Sequence, residues 1–347
     1  MRAAVFKGPG SNPVLAIESR PDPVPGAGEV LIKVGRAGIC GSDLHMTSGE
    51  GPQMAVGSII GHELAGEVIA LGAEVEHIRL GDRVAPLPFV GCGHCAACLA
   101  GRPHHCPAAR FDVVHGFSEY SRVGVRDCVI LPAGLTDEDG ALIEPLACGL
   151  QAVRKAGLVP GARVLVTGAG PIGLAAAFWA QRLGAGRVAV MAASARRGRI
   201  ATAMGASHFI ARKDVTDPVA ALRDALGGAP EVVFEAVGLP GAIAEAIDYV
   251  KPQGTVVSLG LCSVPDTFVP VVALMKELRL LFSMCYDRQD FQYTAEVMAA
   301  GDHRPRAMIT DTIGLDALPA RLEKLRGASI DCKVMVAPWG DSRPSTP

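Results

Sequence analysis

The chain has 347 residues, of which 49% are hydrophobic and 20% charged, with a formal net charge of −2. That length favours two domains over a single core, and the composition excludes a disordered chain. The balanced charge gives no reason to expect nucleic acid or an anionic membrane as a partner.

The opening "MRAAVFKGPG" has no apolar core, so no secretory signal is expected. A reducing cytoplasm is then the expected compartment, where clustered cysteines bind metal more often than they pair. The first third of the chain reads as short strands, "AAVFKG", "EVLIKVGRAGIC", "GEVIALG" and "GDRVAP", punctuated by Gly and Pro. This grammar suggests a small β-barrel. Next comes "GCGHCAACLAGRPHHC", Gly91 to Cys106, which carries Cys92, Cys95, Cys98 and Cys106 at the spacing C-x2-C-x2-C-x7-C. Four thiolates held this close satisfy tetrahedral Zn²⁺ completely and leave no open position, as a structural site requires. Cysteines so near in sequence sit awkwardly for disulfides, given the separations and Cβ directions those need. His104 and His105 are weaker substitutes for one thiolate.

From about Pro160 strand-like runs alternate with helix-length stretches, the signature of βαβ units and a parallel sheet. "ARVLVTG", "RVAVMAA", "EVVFEAVG" and "GTVVSLG" read as strands. "PIGLAAAFWAQRLGA", "RRGRIATAMGA", "AIAEAIDYV" and "ALMKELRLLFS" read as the intervening helices. The uncharged run Val164 to Gln181 approaches the length of a membrane span, but its first half is rich in Gly and contains Pro, which fits a strand, a turn and a helix better. Within it "GAGPIG" supplies Gly168, Gly170, Pro171, Ile172 and Gly173, a G-x-G-x-x-G in the context of a dinucleotide-binding turn. The first glycine makes the turn, the second admits a pyrophosphate, and the third packs helix on strand, with the helix N-terminus facing the phosphates.

That fingerprint expects an acidic residue about 20 positions on, to bond the ribose 2′-hydroxyl. Here the second strand ends in Ala192, Ala193 and Ser194, followed by Arg196, Arg197 and Arg199. The expectation is a 2′-phosphate pocket and hence NADP over NAD; the bland alternative is a solvated basic helix start. "FQYTAEVMAAGD" and the strand "DCKVMVAP" follow, and pattern alone does not assign that strand to a domain. The tail "DSRPSTP" is expected to be disordered.

Chemistry-bearing residues are also dispersed, in "GICGSDLH" (Gly38 to His45), "GHE" (Gly61 to Glu63) and "ALIEPLACGLQ" (Ala141 to Gln151). Singly, Cys40 reads as a buried thiol, His62 as a hydrogen-bonded core histidine, and Ser42 with Asp43 as a turn cap. Together, mixed Cys, His and carboxylate groups with one open position would make a catalytic zinc site.

In this order, "GICGSDLH", "GHELAGEV", the cysteine loop, "ALIEPLACGL" and "VLVTGAGPIG" resemble the zinc-containing medium-chain alcohol/polyol dehydrogenases, in the sorbitol and threonine dehydrogenase branch, over nearly the whole chain. The resemblance implies an α/β fold. A GroES-like β-barrel catalytic domain would span 1–150, with the structural-zinc loop at 91–106. A Rossmann domain with a doubly wound parallel sheet would span 151–285, and the segment 286–347 would return to the catalytic domain. It further implies two Zn²⁺ per chain. Cys40 and His62, with Glu63 and Glu144 as carboxylates, would hold the catalytic ion, Cys148 being a weaker alternative to Glu144. Ser42 and His45 would relay a proton through the cofactor ribose, and Asp43 would orient a zinc-bound histidine. By resemblance the chain is also a homo-oligomer, tetramer or dimer.

The expected reaction is hydride transfer between NAD(P) and a secondary alcohol, diol or polyol. The alcohol must lose its hydroxyl proton first; zinc lowers the pKa of bound water from about 16 to about 7, on the order of 12 kcal/mol. Two rivals remain at this stage: a zinc-free NADPH quinone or enone reductase on the same scaffold, and a non-catalytic zinc-stabilised nucleotide-binding protein. Met46, where an aromatic is common, and the short loop between Thr47 and Ile60 leave the alcohol itself open.

Overall fold

A computed structural model describes residues 1–340 except Pro52, Asp112 and Ala328. The tail 341–347 lies outside the described residues. The chain divides into two compact units, Met1–Glu144 with the segment from Tyr286 onward, and Pro145–Cys285. The division falls inside the helix Asp137–Ala156, ahead of position 150, at the in-helix Pro145.

The first unit begins with β1 (Arg2–Phe6), β2 (Leu15–Ser19), β3 (Glu29–Gly38), β4 (Glu63–Leu71), β5 (Arg83–Pro86), β6 (Tyr120–Gly124) and β7 (Cys128–Ile130). The second contains β8 (Arg163–Thr167), β9 (Arg187–Ala192), β10 (His208–Ala211), β11 (Val232–Glu235), β12 (Thr255–Ser258) and β13 (Arg279–Phe282). The chain then returns to the first unit with β14 (Ile309–Gly314) and β15 (Lys333–Ala337).

In the first unit the seven-stranded sheet has the order β14-β15-β3-β4-β5-β7, with β6 also on β3. β3 is the hub because it is long and rich in β-branched residues. Its first half pairs with β6 and its last two residues pair with β15, while β4 runs antiparallel along its other edge. Val30, Ile32 and Val34 of β3 join Leu64, Val84 and Val336 in one core. Val334, Met335 and Val336 are buried, so the C-terminal strand completes this core and cannot be left at the surface.

In the second unit the sheet runs β10-β9-β8-β11-β12-β13, every pairing parallel. Numbered from its own first strand this is the order 3-2-1-4-5-6, in which the connections reverse direction between β8 and β11. The helix Pro171–Arg182 is apolar on nearly all sides because it is covered on nearly all sides. Trp179 Nε1 donates to the Leu146 carbonyl at 2.8 Å, and a Cβ on Gly149 would lie 2.6 Å from the Ala175 carbonyl carbon, so two helices touch backbone to backbone there. Among the described residues no helix is long and apolar enough to cross a membrane. The reading of "ALMKELRLLFS" as one helix needs correction. The helix Pro270–Met275 ends, Glu277 turns with φ +50°, and β13 begins at Arg279. Leucine-rich sequence favours helix in isolation, but pairing with β12 overrides it.

Arg163, at the start of β8, ties the N-terminal ends of β8 and β11 by donating to Glu231 from its backbone (2.7 Å) and its guanidinium (2.5 and 3.1 Å). Arg163 holds the Glu231 carboxyl down at about 2. The stability this gives is present above the ordinary carboxylate range and lost as pH falls from about 4.5 toward 2. Glu231→Gln should therefore destabilise at pH 7, on the order of 1 kcal/mol after allowing for solvent screening. Urea midpoints of the two proteins should converge by pH 2–3; a gap independent of pH would contradict the assignment.

Candidate active site

Gly38, near the end of β3, pairs in register with Glu63, the first residue of β4. This ladder brings together two motifs that are far apart in sequence. The Cys40 thiol, a ring nitrogen of His62 and a carboxylate oxygen of Glu63 all lie within 4.8 Å of one another. Gly38 is required for this: a Cβ there would sit 2.2 Å from Glu63 Oε2. Glu144 is buried in the helix Asp137–Ala156 and lies outside that set of three. Burial pushes its carboxyl up to about 7; His62 opposes the shift and Glu63 adds to it, so Glu144 feels the charges of the cluster. Cys148 belongs to the second unit and is not part of the cluster.

Asp43 does two things in the short helix Gly41–His45. One oxygen accepts from the Cys40 backbone N–H at 2.9 Å, which is the capping role; the other lies 3.4 Å from His62 Nδ1. Fully buried, it therefore steers the imidazole and leaves Nε2 as the nitrogen available for a ligand. Ser42 Oγ lies 3.4 Å from that Nε2. Burial works against the His62 imidazolium, but the charges of Asp43 and Cys40 outweigh it and raise its basicity well above the ordinary value. His45, at the other end of the same helix, is exposed to solvent.

Reading the sequence missed Lys333. Fully buried at the start of β15, its ammonium donates to both Glu63 oxygens, at 2.7 and 2.6 Å, and to the Ile39 carbonyl at 2.9 Å. Burial disfavours the ammonium, but Glu63 and Cys40 reverse the effect and hold it protonated. The signal was a lone lysine inside the apolar run "DCKVMVAP", which has to find a partner when the strand is buried on both faces.

The cysteine loop forms a separate cluster. The four sulfurs of Cys92, Cys95, Cys98 and Cys106 lie within 4.8 Å of one another, close to the about 3.8 Å edge that tetrahedral Zn–S bonds require. Backbone N–H groups already point at them: Cys98 to Cys95 Sγ at 3.5 Å, and Cys92 and Ala108 to Cys106 Sγ, each at 3.4 Å. Donors from His94 and Cys95 hold the Cys92 thiol down at about 6. Among the described residues no disulfide joins any of the ten cysteines. His104 is buried with its ring tilted against Phe89 (5.8 Å) and His105 (4.1 Å), and neither histidine belongs to the set.

In the second unit the three glycines of the turn after β8 play different parts. Gly168 has φ +96°, and a Cβ there would lie 2.8 Å from the Ala236 carbonyl oxygen. A Cβ on Gly173 would lie 2.1 Å from the Gly168 carbonyl oxygen, which fixes the helix against the strand. Around Gly170 nothing lies within 4 Å, so its missing side chain leaves open space at the N-cap of the helix that starts at Pro171, followed by the half-buried Ile172. The arrangement fits a dinucleotide: tight turn, free approach, close packing. At the end of β9 Ala192 and Ser194 are half-buried, and Arg196 and Arg199 are exposed. Arg197 alone turns toward the glycine turn, donating from Nη1 to the Ala169 carbonyl at 3.2 Å.

A parallel 3-2-1-4-5-6 sheet with an open glycine turn has the arrangement of a dinucleotide-binding domain, and the same chain carries a Cys/His/carboxylate cluster whose donor set suits a metal ion. Residues 26–133 match the alcohol dehydrogenase GroES-like domain and residues 171–300 the zinc-binding dehydrogenase domain. The chain is 36% identical to L-galactonate-5-dehydrogenase of Escherichia coli K12 over 85% of its length and 87% of the relative's. It is 32% identical to sorbitol dehydrogenase of Bacillus subtilis over 97% of both. Two solved structures match 97% of the chain and 99% of their own. One is an alcohol dehydrogenase from Escherichia coli CFT073 complexed with NADH, at 29% identity and TM-score 0.87. The other is a zinc-binding dehydrogenase from Sinorhizobium meliloti 1021 bound to NADP, at 30% identity and TM-score 0.86. The chain belongs to the zinc-containing medium-chain alcohol/polyol dehydrogenase family. It is an oxidoreductase that transfers hydride between an alcohol and NAD(P).

The Lys333–Glu63 pair generates a stability test. Lys333→Met leaves the Glu63 charge buried without its cation and should cost about 3–5 kcal/mol. Adding Glu63→Gln should recover a large part of that loss in a denaturation series. A double variant no more stable than the single one would show that the lysine acts by packing alone.

Proposed function

We propose that the chain is a zinc-dependent dehydrogenase that oxidises a secondary hydroxyl of a polyol or sugar acid, prefers NADP, and carries two zinc ions. The observation that carries this reading is the convergence of Cys40, His62 and Glu63 within 4.8 Å, with Asp43 behind His62 and Lys333 behind Glu63. A zinc-free reductase has no use for such a set. Bound zinc would make an alcohol hydroxyl acidic near neutral pH, and bound nicotinamide would take the carbinol hydride.

The rest is the work of the chain. Asp43 fixes the His62 tautomer and ring direction; Lys333 donates to both Glu63 oxygens and places an ammonium near Cys40. Ser42 would take up the hydroxyl proton as it releases its own, and His45, exposed at the far end of the same short helix, would exchange a proton with solvent at the end of that relay. Glu144 supplies a further carboxylate to the site. Cys92, Cys95, Cys98 and Cys106 hold the second zinc, which is structural because four thiolates leave no position for substrate. Sorbitol and L-galactonate, named for the two relatives, share the vicinal secondary hydroxyls this site would act on.

Two further features belong to this reading. Ten cysteines with no disulfide among the described residues fit a reducing cytoplasm. A homo-oligomer, dimer or tetramer, is supported by the second unit: β13 is an edge strand of its sheet, and Phe268, Val269, Leu274, Met275, Phe282 and Met284 near it are exposed apolar residues. Two copies of one edge strand can pair antiparallel about a two-fold axis.

The test is metal analysis joined to variants. Wild type should carry two zinc ions per chain. Cys95→Ser should lose one of them together with much of its stability. Cys40→Ala and His62→Ala should lose the other and abolish alcohol oxidation, while NAD(P)H binding persists. Turnover in a variant shown to lack the zinc at Cys40 and His62 would favour the zinc-free reductase instead.

The cofactor preference rests on Ala192 and Arg197. With Ala192 the carboxylate that bonds the NAD ribose and repels a 2′-phosphate is missing, and Arg197 is the arginine turned inward. One charge-assisted contact of roughly 1.5–3 kcal/mol favours NADP about ten- to a hundredfold in kcat/KM. Arg197→Ala should erase most of that preference and Ala192→Asp should reverse it. Wild type preferring NAD by about tenfold would make the arginines surface groups only.

A further inference from the structure

A carboxylate sits where the second unit's connections reverse, and the mechanism above does not use it. Glu235, the last residue of β11, is 1% exposed. One of its oxygens accepts from the backbone N–H groups of Val237 (2.7 Å) and Gly238 (2.9 Å), and the other accepts from Ser258 Oγ at 3.1 Å. Among the described residues no cation pairs with it. A buried carboxylate satisfied only by neutral donors is costly to keep, and the donors it collects show what it does. They are two successive N–H groups of the loop after β11, with Gly238 at φ +69°, and a hydroxyl from the neighbouring strand β12. Successive N–H groups of this kind commonly bind a ligand anion; here the protein's own carboxylate fills the position.

The loop so held leans directly on the glycine turn. The Ala236 carbonyl oxygen is the atom a Cβ on Gly168 would meet at 2.8 Å, and the Ala236 N–H donates to the Thr167 carbonyl at 2.9 Å. On its other side the loop touches the turn after β12 backbone to backbone, since a Cβ on Gly260 would lie 2.2 Å from the Gly238 nitrogen and 2.8 Å from Glu235 Oε2. Three connections at the carboxyl ends of β8, β11 and β12 are thus locked through one side chain. The close contacts leave no slack for the loop to move without displacing Gly168.

We propose that Glu235 is a positioning residue for dinucleotide binding. It occupies the anion-binding N–H pair of the β11 loop, locks that loop against Gly168, and leaves the turn at Gly168 to Gly173 as the place for the pyrophosphate. The proposal rests on the dinucleotide reading of that turn. It concerns the pyrophosphate, so it predicts equal losses for NADPH and NADH, unlike changes at Ala192 or Arg197.

The experiment measures Kd for NADPH and NADH by fluorescence titration, amide hydrogen exchange at Val237 and Gly238, and zinc content, in wild type, Glu235→Ala and Glu235→Gln. Glu235→Ala should raise both Kd values about tenfold or more, by a common factor, speed exchange at the two amides, and leave zinc content unchanged. Glu235→Gln keeps an oxygen for the two N–H groups and an amide for Ser258, so it should return Kd to within about threefold of wild type. If Glu235→Ala does not fold, Ser258→Ala is read the same way, and its exchange rates and Kd values should rise together. Wild-type Kd values in a variant with faster exchange would overturn the proposal, as would Gln failing as badly as Ala. A wild type that binds neither nucleotide would overturn the dinucleotide reading itself, and this proposal with it.

Discussion

The candidate catalytic cluster depends on one buried ion pair. Glu63 and Lys333 lie 270 positions apart in sequence and are 0% exposed, and each is tolerable in the core only because of the other. The pair exists because β3 lies between β4 and β15, so that Glu63 starts one neighbour and Lys333 starts the other. The Ile39 carbonyl takes the third lysine hydrogen, which ties the same ammonium to the backbone one residue before Cys40. A polar device of this kind adds little net stability over apolar packing, but it specifies register: a one-residue slip of β15 would bury an unpaired ammonium.

The two cysteine-containing clusters differ in the kinds of ligand they offer. The loop at Cys92–Cys106 offers four soft donors, with backbone N–H groups already aimed at Cys95 and Cys106. The cluster at Cys40 mixes thiol, imidazole and carboxylate, and each of the latter two is backed by a charged partner, Asp43 for His62 and Lys333 for Glu63. Backing of this kind sets direction and charge rather than bulk stability, which is what a site that must bind and release substrate needs.

In the second unit, backbone proximity does what side chains do in the first. Gly168 against Ala236, Gly173 against Gly168, and Gly260 against Gly238 are contacts in which a methyl group would overlap a backbone atom. Within the same turn, Gly170 faces open space. A turn made this way is held by backbone contacts and carries few side-chain atoms.

Local chemistry was legible in the order of residues. Four cysteines within one short loop suggest a closed metal site, and a G-x-G-x-x-G between a strand and a helix suggests a phosphate turn, because in both cases the residues concerned are neighbours in the chain. Dispersed motifs such as "GICGSDLH" and "GHE" gained meaning as an ordered set, through family resemblance. What sequence alone left open were the partnerships across the sheets. Lys333 with Glu63, Arg197 rather than Arg196 or Arg199, Glu235 under the glycine turn, and the second half of "ALMKELRLLFS" as a strand were decided by tertiary structure. Each depends on which strand lies beside which and which face is covered. A run of residues encodes its own periodicity, but not the neighbour that will satisfy its buried charge or its free strand edge.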